Sequence, residues 1–163
     1  MIFIEKVIND NQVEIIASLA YEIWNEHFTA IIGKAQVDYM LEKFQSKKTI
    51  AEQITQGYLY FLIKSDDDYI GYMGVHPEKE QLFLSKLYIK ASERRQGHGQ
   101  KALKYLEQLA LDKKLNKITL TVNKNNFNTI KTYENFGFTK VDSIIQDIGN
   151  DFVMDDYKME KVF

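Results

Sequence analysis

Apolar residues recur at helical intervals early in the chain and alternate with polar ones in its middle. From Asn11 to His27, the positions Val13, Ile16, Leu19, Ala20, Ile23 and Trp24 fall three or four apart and predict an amphipathic helix. Gln36 to Phe44 repeats the pattern with Val37, Met40, Leu41 and Phe44. Before these, Ile2 to Val7 alternates weakly and reads as a strand. Tyr58 to Ile63 and Tyr69 to Val75 read as two strands joined by the turn-forming run Ser65-Asp66-Asp67-Asp68, and Gln81 to Lys90 as a third after the His76-Pro77 turn. Ala102, Leu103, Leu106, Leu109 and Ala110 mark another amphipathic helix, closed by Lys113 and Lys114 at the negative end of its dipole. Ile118, Leu120 and Val122 alternate with threonines as a strand. Asn126 to Phe136 reads as a short helix capped by Gly137, with closing strands around Thr139 to Gln146 and Phe152 to Met159. The order is β-α-α-β-β-β-α-β-α-β-β. From residue 81 onward it implies a right-handed βαβ crossover and a mixed sheet, an α/β or α+β fold.

Bulk properties narrow the function classes. A chain of 163 residues without repeats or a Pro/Gly-rich linker suits one domain, residues 1–163. Its net charge of -2 argues against a nucleic-acid partner. The absence of cysteine removes disulfides, thiolate metal sites and an enzyme-bound thioester. Three isolated histidines lack metal-ligand spacing. No apolar run reaches membrane-spanning length, and Met1 to Lys6 lacks the charge order of a signal peptide, so the expected location is cytoplasmic.

The richest segment runs from Leu87 to Lys101, where a strand ends, a polar turn follows and a helix begins behind Gly97 and Gly99. Glycine lets backbone approach a ligand, and the free N–H groups of a first helical turn attract anions. Arg94, Arg95 and Lys101 add positive charge, so a diphosphate is the natural guest. A plain tight turn would use the same glycines. The dinucleotide fingerprint needs a third glycine where Ala102 stands, and the mononucleotide P-loop spacing is absent.

Arg94-x-x-Gly97-x-Gly99 after Leu87-Tyr88-Ile89 resembles the coenzyme A signature of the GNAT superfamily of N-acetyltransferases. Asn126 to Phe138 resembles the family's Asn-x-x-Ala-Ile-x-x-Tyr-x-x-x-Gly-Phe block, with Thr129 in place of the alanine. The resemblance implies a GNAT-like, mostly antiparallel mixed sheet and acetyl-CoA as co-substrate, without metal. It places the diphosphate on the backbone of Arg95, Gln96, Gly97, His98, Gly99, Gln100 and Lys101, and the pantetheine arm along Leu87, Tyr88 and Ile89, with the Leu87 amide on the thioester carbonyl. Asn126 becomes a cofactor contact and Tyr133 the general acid, although a tyrosine on a short helix is more commonly plain core. His98 is expected to be a bystander, because the loop works through its backbone.

The implied acceptor is a primary amine on a small molecule. A protein or peptide amine is the alternative, and a non-catalytic acyl-CoA sensor the third reading. Relatives often dimerise. Polyamine-acetylating relatives share the layout but carry a carboxylate where this chain has Phe83 or Ser85. The base is therefore open, with Glu26, His27, His76 and Glu80 as candidates. Trp24, Phe28, Tyr39, Met40 and Phe44 are candidates for the acceptor wall, helical spacing favouring core packing for most. The acidic cluster Asp147, Asp151, Asp155 and Asp156 reads as a solvated turn more readily than as an amine attractor.

Overall fold

The computed structural model describes residues 1–163. A seven-stranded sheet runs in the order β1-β2-β3-β4-β5-β7-β6. It comprises β1 (Ile2–Lys6), β2 (Leu59–Ser65), β3 (Asp68–Pro77), β4 (Gln81–Ile89), β5 (Lys117–Asn123), β6 (Thr139–Gly149) and β7 (Phe152–Val162). Every neighbouring pair is antiparallel except β4 and β5. The parallel pair is the one bridged by a helix, α5 (His98–Asp112), as a crossover requires.

Four helices fill the β1–β2 connection: α1 (Asp10–His27), α2 (Thr29–Ile32), α3 (Lys34–Phe44) and α4 (Lys47–Thr55). The first and third are the two that apolar periodicity predicts; α2 and α4 add a one-turn link and a short capped helix. α1 opens with a capping box between Asn9 and Gln12, which satisfies two otherwise orphan amides. α4 is started by Ser46, whose hydroxyl accepts from the Thr49 amide.

The sheet separates two cores. One face packs Leu82, Leu84, Ile118 and Leu120 beneath α5 and α6 (Phe127–Phe136), and the other packs Tyr60, Leu62 and Tyr72 beneath α1 and α3. No helix is long and apolar enough to cross a membrane.

Two irregularities position the cleft. β4 and β5 pair only from Gln81–Leu84 against Lys117–Leu120, after which they part. At the same point the β3–β4 register slips: Val75 faces Leu84 and Gly74 faces Lys86, leaving Ser85 as an extra residue. Such a bulge bends its strand and reverses the facing of the residues beyond it. Leu82 and Leu84 point into the core under α5, yet two residues on Lys86 points to the opposite face, beside Tyr60. Gly74 is needed here because a Cβ on it would lie 2.8 Å from the Tyr60 ring.

Candidate active site

The cleft opened by the split encloses about 760 Å³. Its floor is the free edge of β4. The Lys90 amide bonds to Ile70 of β3, so strand alternation turns the Leu87 and Ile89 amides away from β3 and into the split. The Tyr88 amide, by the same alternation, faces β3. Its side chain joins an aromatic group with Trp24, Phe28 and Tyr72, at centroid distances of 5.4, 6.0 and 5.5 Å. Tyr88 thus lines the cleft through its ring, and only Leu87 and Ile89 offer a strand-like edge.

At one end of the cleft lies the loop before α5. Arg95 and Gly97 are both left-handed, at φ 64° and 78°, and no side chain caps the helix. The amides of Arg95, Gln96, Gly97, His98, Gly99 and Gln100 donate to no group of the chain, whereas that of Lys101 is taken by the Gly97 carbonyl at 3.1 Å. Lys101 can therefore serve an anion by its charge but not by its amide. A Cβ on Gly97 would meet nothing within 4 Å, and one on Gly99 would make ordinary contacts with Thr132 and Ile89 at 3.8 and 4.0 Å. Neither glycine relieves a clash inside the protein. The space over the six unpaired amides is open to a group that can accept from them.

The Arg94 side chain turns inward. Its Nε donates to the Ile89 carbonyl at 3.1 Å and its Nη1 to His27 Nδ1 at 3.1 Å. Because a guanidinium can only donate, Nδ1 must accept, which leaves the proton on Nε2 to donate to Asn126 Oδ1 at 2.9 Å. Burial lowers the His27 pKa, with Arg94 adding to the effect against the Asn126 hydrogen bond, so the ring is neutral as this arrangement demands. Asn126 does not cap its own helix. With its oxygen occupied by His27, its amide donors are the groups left for the cleft. Of the four residues that the sequence offers as a base, only His27 reaches the cleft, and both its nitrogens are engaged. Glu26 and Glu80 lie outside it, and His76 stacks on Tyr58 at 4.5 Å. His98 is buried beside Glu93 at 3.8 Å, its ring nitrogens without hydrogen bonds.

If this relay aligns Asn126, His27→Phe is expected to raise the KM for acetyl-CoA by about 3- to 10-fold with little change in kcat, because neutral hydrogen bonds contribute roughly 1 kcal/mol each. In the wild type, protonating His27 breaks the Arg94 contact, so the same rise should appear as pH falls below the ordinary imidazole range. A KM independent of both changes would show that the relay is structural only.

Tyr133, on α6, is buried against Phe138 with its hydroxyl free of hydrogen bonds within the chain. Burial pushes its phenol up from the usual value, keeping it protonated. Trp24, Phe28, Met40 and Phe44 line the cleft, but Tyr39 does not: its hydroxyl donates to the Ile148 carbonyl at 2.7 Å and ties α3 to β6.

The acidic cluster resolves into unlike members. Asp147 accepts from the Gly149 amide at 2.8 Å, Asp151 sits left-handed in the hairpin turn, and Asp155 pairs with Lys124 at 2.7 Å. Asp156 is different. It lies within β7, buried, on the face it shares with Met154, and it lines the cleft with no hydrogen bond to its carboxylate. Burial, and secondarily Asp155, pushes its pKa up to about 6 against the pull of Lys124. The solvated-turn expectation fails for this residue because β7 reaches through it. Lys86, unlike Asp156, is a residue that the sequence does not single out. Its amine meets Tyr60 Oη at 2.5 Å and Gln53 Oε1 at 3.0 Å, and burial drops its pKa to about 8. The signal available for Asp156 was a lone charge on the Phe152, Met154 face of a predicted strand. For Lys86 there was none, since its facing depends on the bulge.

The profile of the Acetyltransferase (GNAT) family matches residues 13–138. No curated protein matches the sequence. Among solved structures, a PaiA N-acetyltransferase from Thermoplasma acidophilum in complex with coenzyme A is 21% identical, with 100% of this chain and 99% of that one covered and a TM-score of 0.86. A GNAT family acetyltransferase from Elizabethkingia anophelis with acetyl-CoA bound is 18% identical over 71% of this chain and 83% of that one, with a TM-score of 0.60. The ribosomal-protein-S18-alanine N-acetyltransferase from Escherichia coli is 19% identical over 99% and 94%, with a TM-score of 0.70. At these identities the structures show a common fold. The profile spans both sequence blocks and the split strands between which the cleft opens, and the chain belongs to the GNAT family of acetyl-CoA-dependent acetyltransferases.

Proposed function

We propose that this protein transfers an acetyl group from acetyl-CoA to the primary amine of a small molecule, by direct attack within a ternary complex. The observation that carries the reading is the convergence of four features on one cleft: six unpaired loop amides, the free β4 edge, the Tyr133 hydroxyl and the Asp156 carboxylate. The loop takes the diphosphate of the co-substrate, and the Leu87 amide hydrogen-bonds the thioester oxygen as it gains charge. The neutral amine attacks the carbonyl carbon, the C–S bond breaks as the Tyr133 hydroxyl gives its proton to the departing sulfur, and the proton shed by the acylated nitrogen returns to the Tyr133 phenolate through water. Asp156 holds the incoming ammonium and takes its proton directly or through water. With a thiol pKa of roughly 8.5 below that of roughly 10 for tyrosine, raised further here, proton donation assists departure only modestly.

Several features favour a small acceptor. Helices α1 to α3 wall one side of the chamber and the β6–β7 hairpin the other, through Gln146, Ile148 and Met154. The likeness to the Escherichia coli ribosomal-protein-S18-alanine N-acetyltransferase keeps a protein N-terminus as the second reading. Thiol release from acetyl-CoA against amino acids, alkylamines, polyamines, aminoglycosides and an alanine-terminated peptide separates them. Turnover confined to the peptide would reject the small-molecule acceptor. Tyr133→Phe should lower kcat with the preferred amine about 10- to 100-fold, with a smaller change in KM for acetyl-CoA. Near-normal kcat with a lower melting temperature would make Tyr133 a core aromatic.

A further inference from the structure

On the acceptor side of the split, the chamber holds two buried ionisable groups that form no ion pair within the chain. Lys86 is 4% exposed, and its ammonium meets only neutral partners, Tyr60 Oη and Gln53 Oε1. Tyr60 gives its own proton to Gln53 Oε1 at 2.5 Å, so it accepts from Lys86. Two of three ammonium donors are thereby spent. The geometry is over-determined: the Ser85 bulge turns Lys86 to this face, and Gly74 lets the Tyr60 ring lie where its hydroxyl meets the amine. Across the split, on β7, stands Asp156 with its carboxylate unpaired. Trp24, Phe28, Met40 and Phe44 supply apolar walls between helix and sheet.

A buried ammonium without a counter-ion is costly, which is why its pKa falls to about 8. An anionic group on a ligand would remove that cost and accept a charge-assisted hydrogen bond. A polyamine would instead bring a second cation towards Lys86 and be disfavoured.

We propose that the acceptor is a zwitterion, an amino acid with an apolar side chain, whose carboxylate is seated on Lys86 while its amine reaches the thioester carbonyl beside Leu87. This rests on the small-amine reading above. It names the acceptor class that the reading leaves open, and it adds no chemical step to the transfer.

The test compares L-leucine, L-methionine and L-phenylalanine with their decarboxylated counterparts 3-methylbutylamine, 3-(methylthio)propylamine and phenethylamine. In the wild type, kcat/KM should favour the amino acids by about 10-fold or more, as expected for one charged hydrogen bond in a buried site. In Lys86→Gln that ratio should fall to near one, through the KM of the carboxylated series, and Lys86→Arg should restore part of it. A wild type that prefers the decarboxylated amines or spermidine overturns the proposal. So does a Lys86→Gln variant that keeps the ratio, or one that depresses both series equally, which would put Lys86 in the chemistry or the scaffold. A second readout needs neither turnover nor a folded variant. Calorimetric titration of wild-type protein with coenzyme A should detect N-acetyl-L-leucine and bind neutral N-(3-methylbutyl)acetamide about 10-fold more weakly. Equal binding overturns the assignment of Lys86. Silence of every amine in the turnover panel would sink the small-amine reading instead, and the titration still decides the carboxylate site by itself.

Discussion

Asp156→Asn is expected to make the protein more stable at pH 7 and about 100-fold slower, two effects of opposite sign from one side chain. The carboxyl pKa rises from 3.8 to about 6 because burial penalises its charged form. Below the unfolded value of 3.8 the group is protonated in both states, and its favourable contribution to the fold is fully present. As pH climbs through about 6 the folded protein is driven to hold a charge in a poor solvent, and that contribution is lost. Asparagine never ionises. The variant should therefore gain about 1 to 2 kcal/mol at neutral pH, less than the full shift implies because cleft water relieves part of the penalty. The gain should vanish below about pH 4, and thermal melts of both proteins across pH would show it. Activity should move the other way, since losing a general base costs roughly 100-fold or more in kcat. The acid limb near pH 6 in the wild-type kcat/KM profile should disappear with it. A lower melting temperature at pH 7 would show Asp156 to be a structural partner, and an unchanged kcat would return the base to solvent.

The Gly97→Ala, Gly99→Leu double variant is expected to fold and yet lose acetyl-CoA, its Kd rising about 100-fold or more as side chains enter the space over the unpaired amides. The folded protein tolerates the change because a Cβ at Gly97 meets nothing and one at Gly99 meets only ordinary contacts. The left-handed φ of 78° at Gly97 should cost about 1 kcal/mol for alanine. For the wild type, acetyl-CoA at about 100 times its Kd adds about 2.7 kcal/mol and should lift the melting temperature by roughly 5 to 10 °C. The double variant should show no lift, from a starting temperature only a few degrees lower. A retained lift would move the diphosphate away from this loop. Collapse without ligand would make the glycines structural, against the open space around them.

The sequence alone determined what local chemistry can determine. The 3.6-residue spacing of Val13 to Trp24 and of Ala102 to Ala110 marks α1 and α5, and alternation marks β4 and β5. The pair of blocks around Gly97 and Tyr133 marks the family, because their order and spacing are carried by the chain itself. Tertiary structure decided which side chains meet. Arg94, His27 and Asn126 are joined over 67 and 99 residues of separation, and no local pattern encodes that contact. Lys86 sits at a position that simple alternation would bury under α5 with Leu82 and Leu84; a single extra residue in one strand turns it towards the acceptor instead. Asp156 looked like one of four surface acids. It became a buried one because β7 inserts between β5 and β6, so that its inward face closes the cleft. Periodicity reports the conformation of a segment, but the charge state and partners of a side chain depend on the low-dielectric space that distant segments build around it.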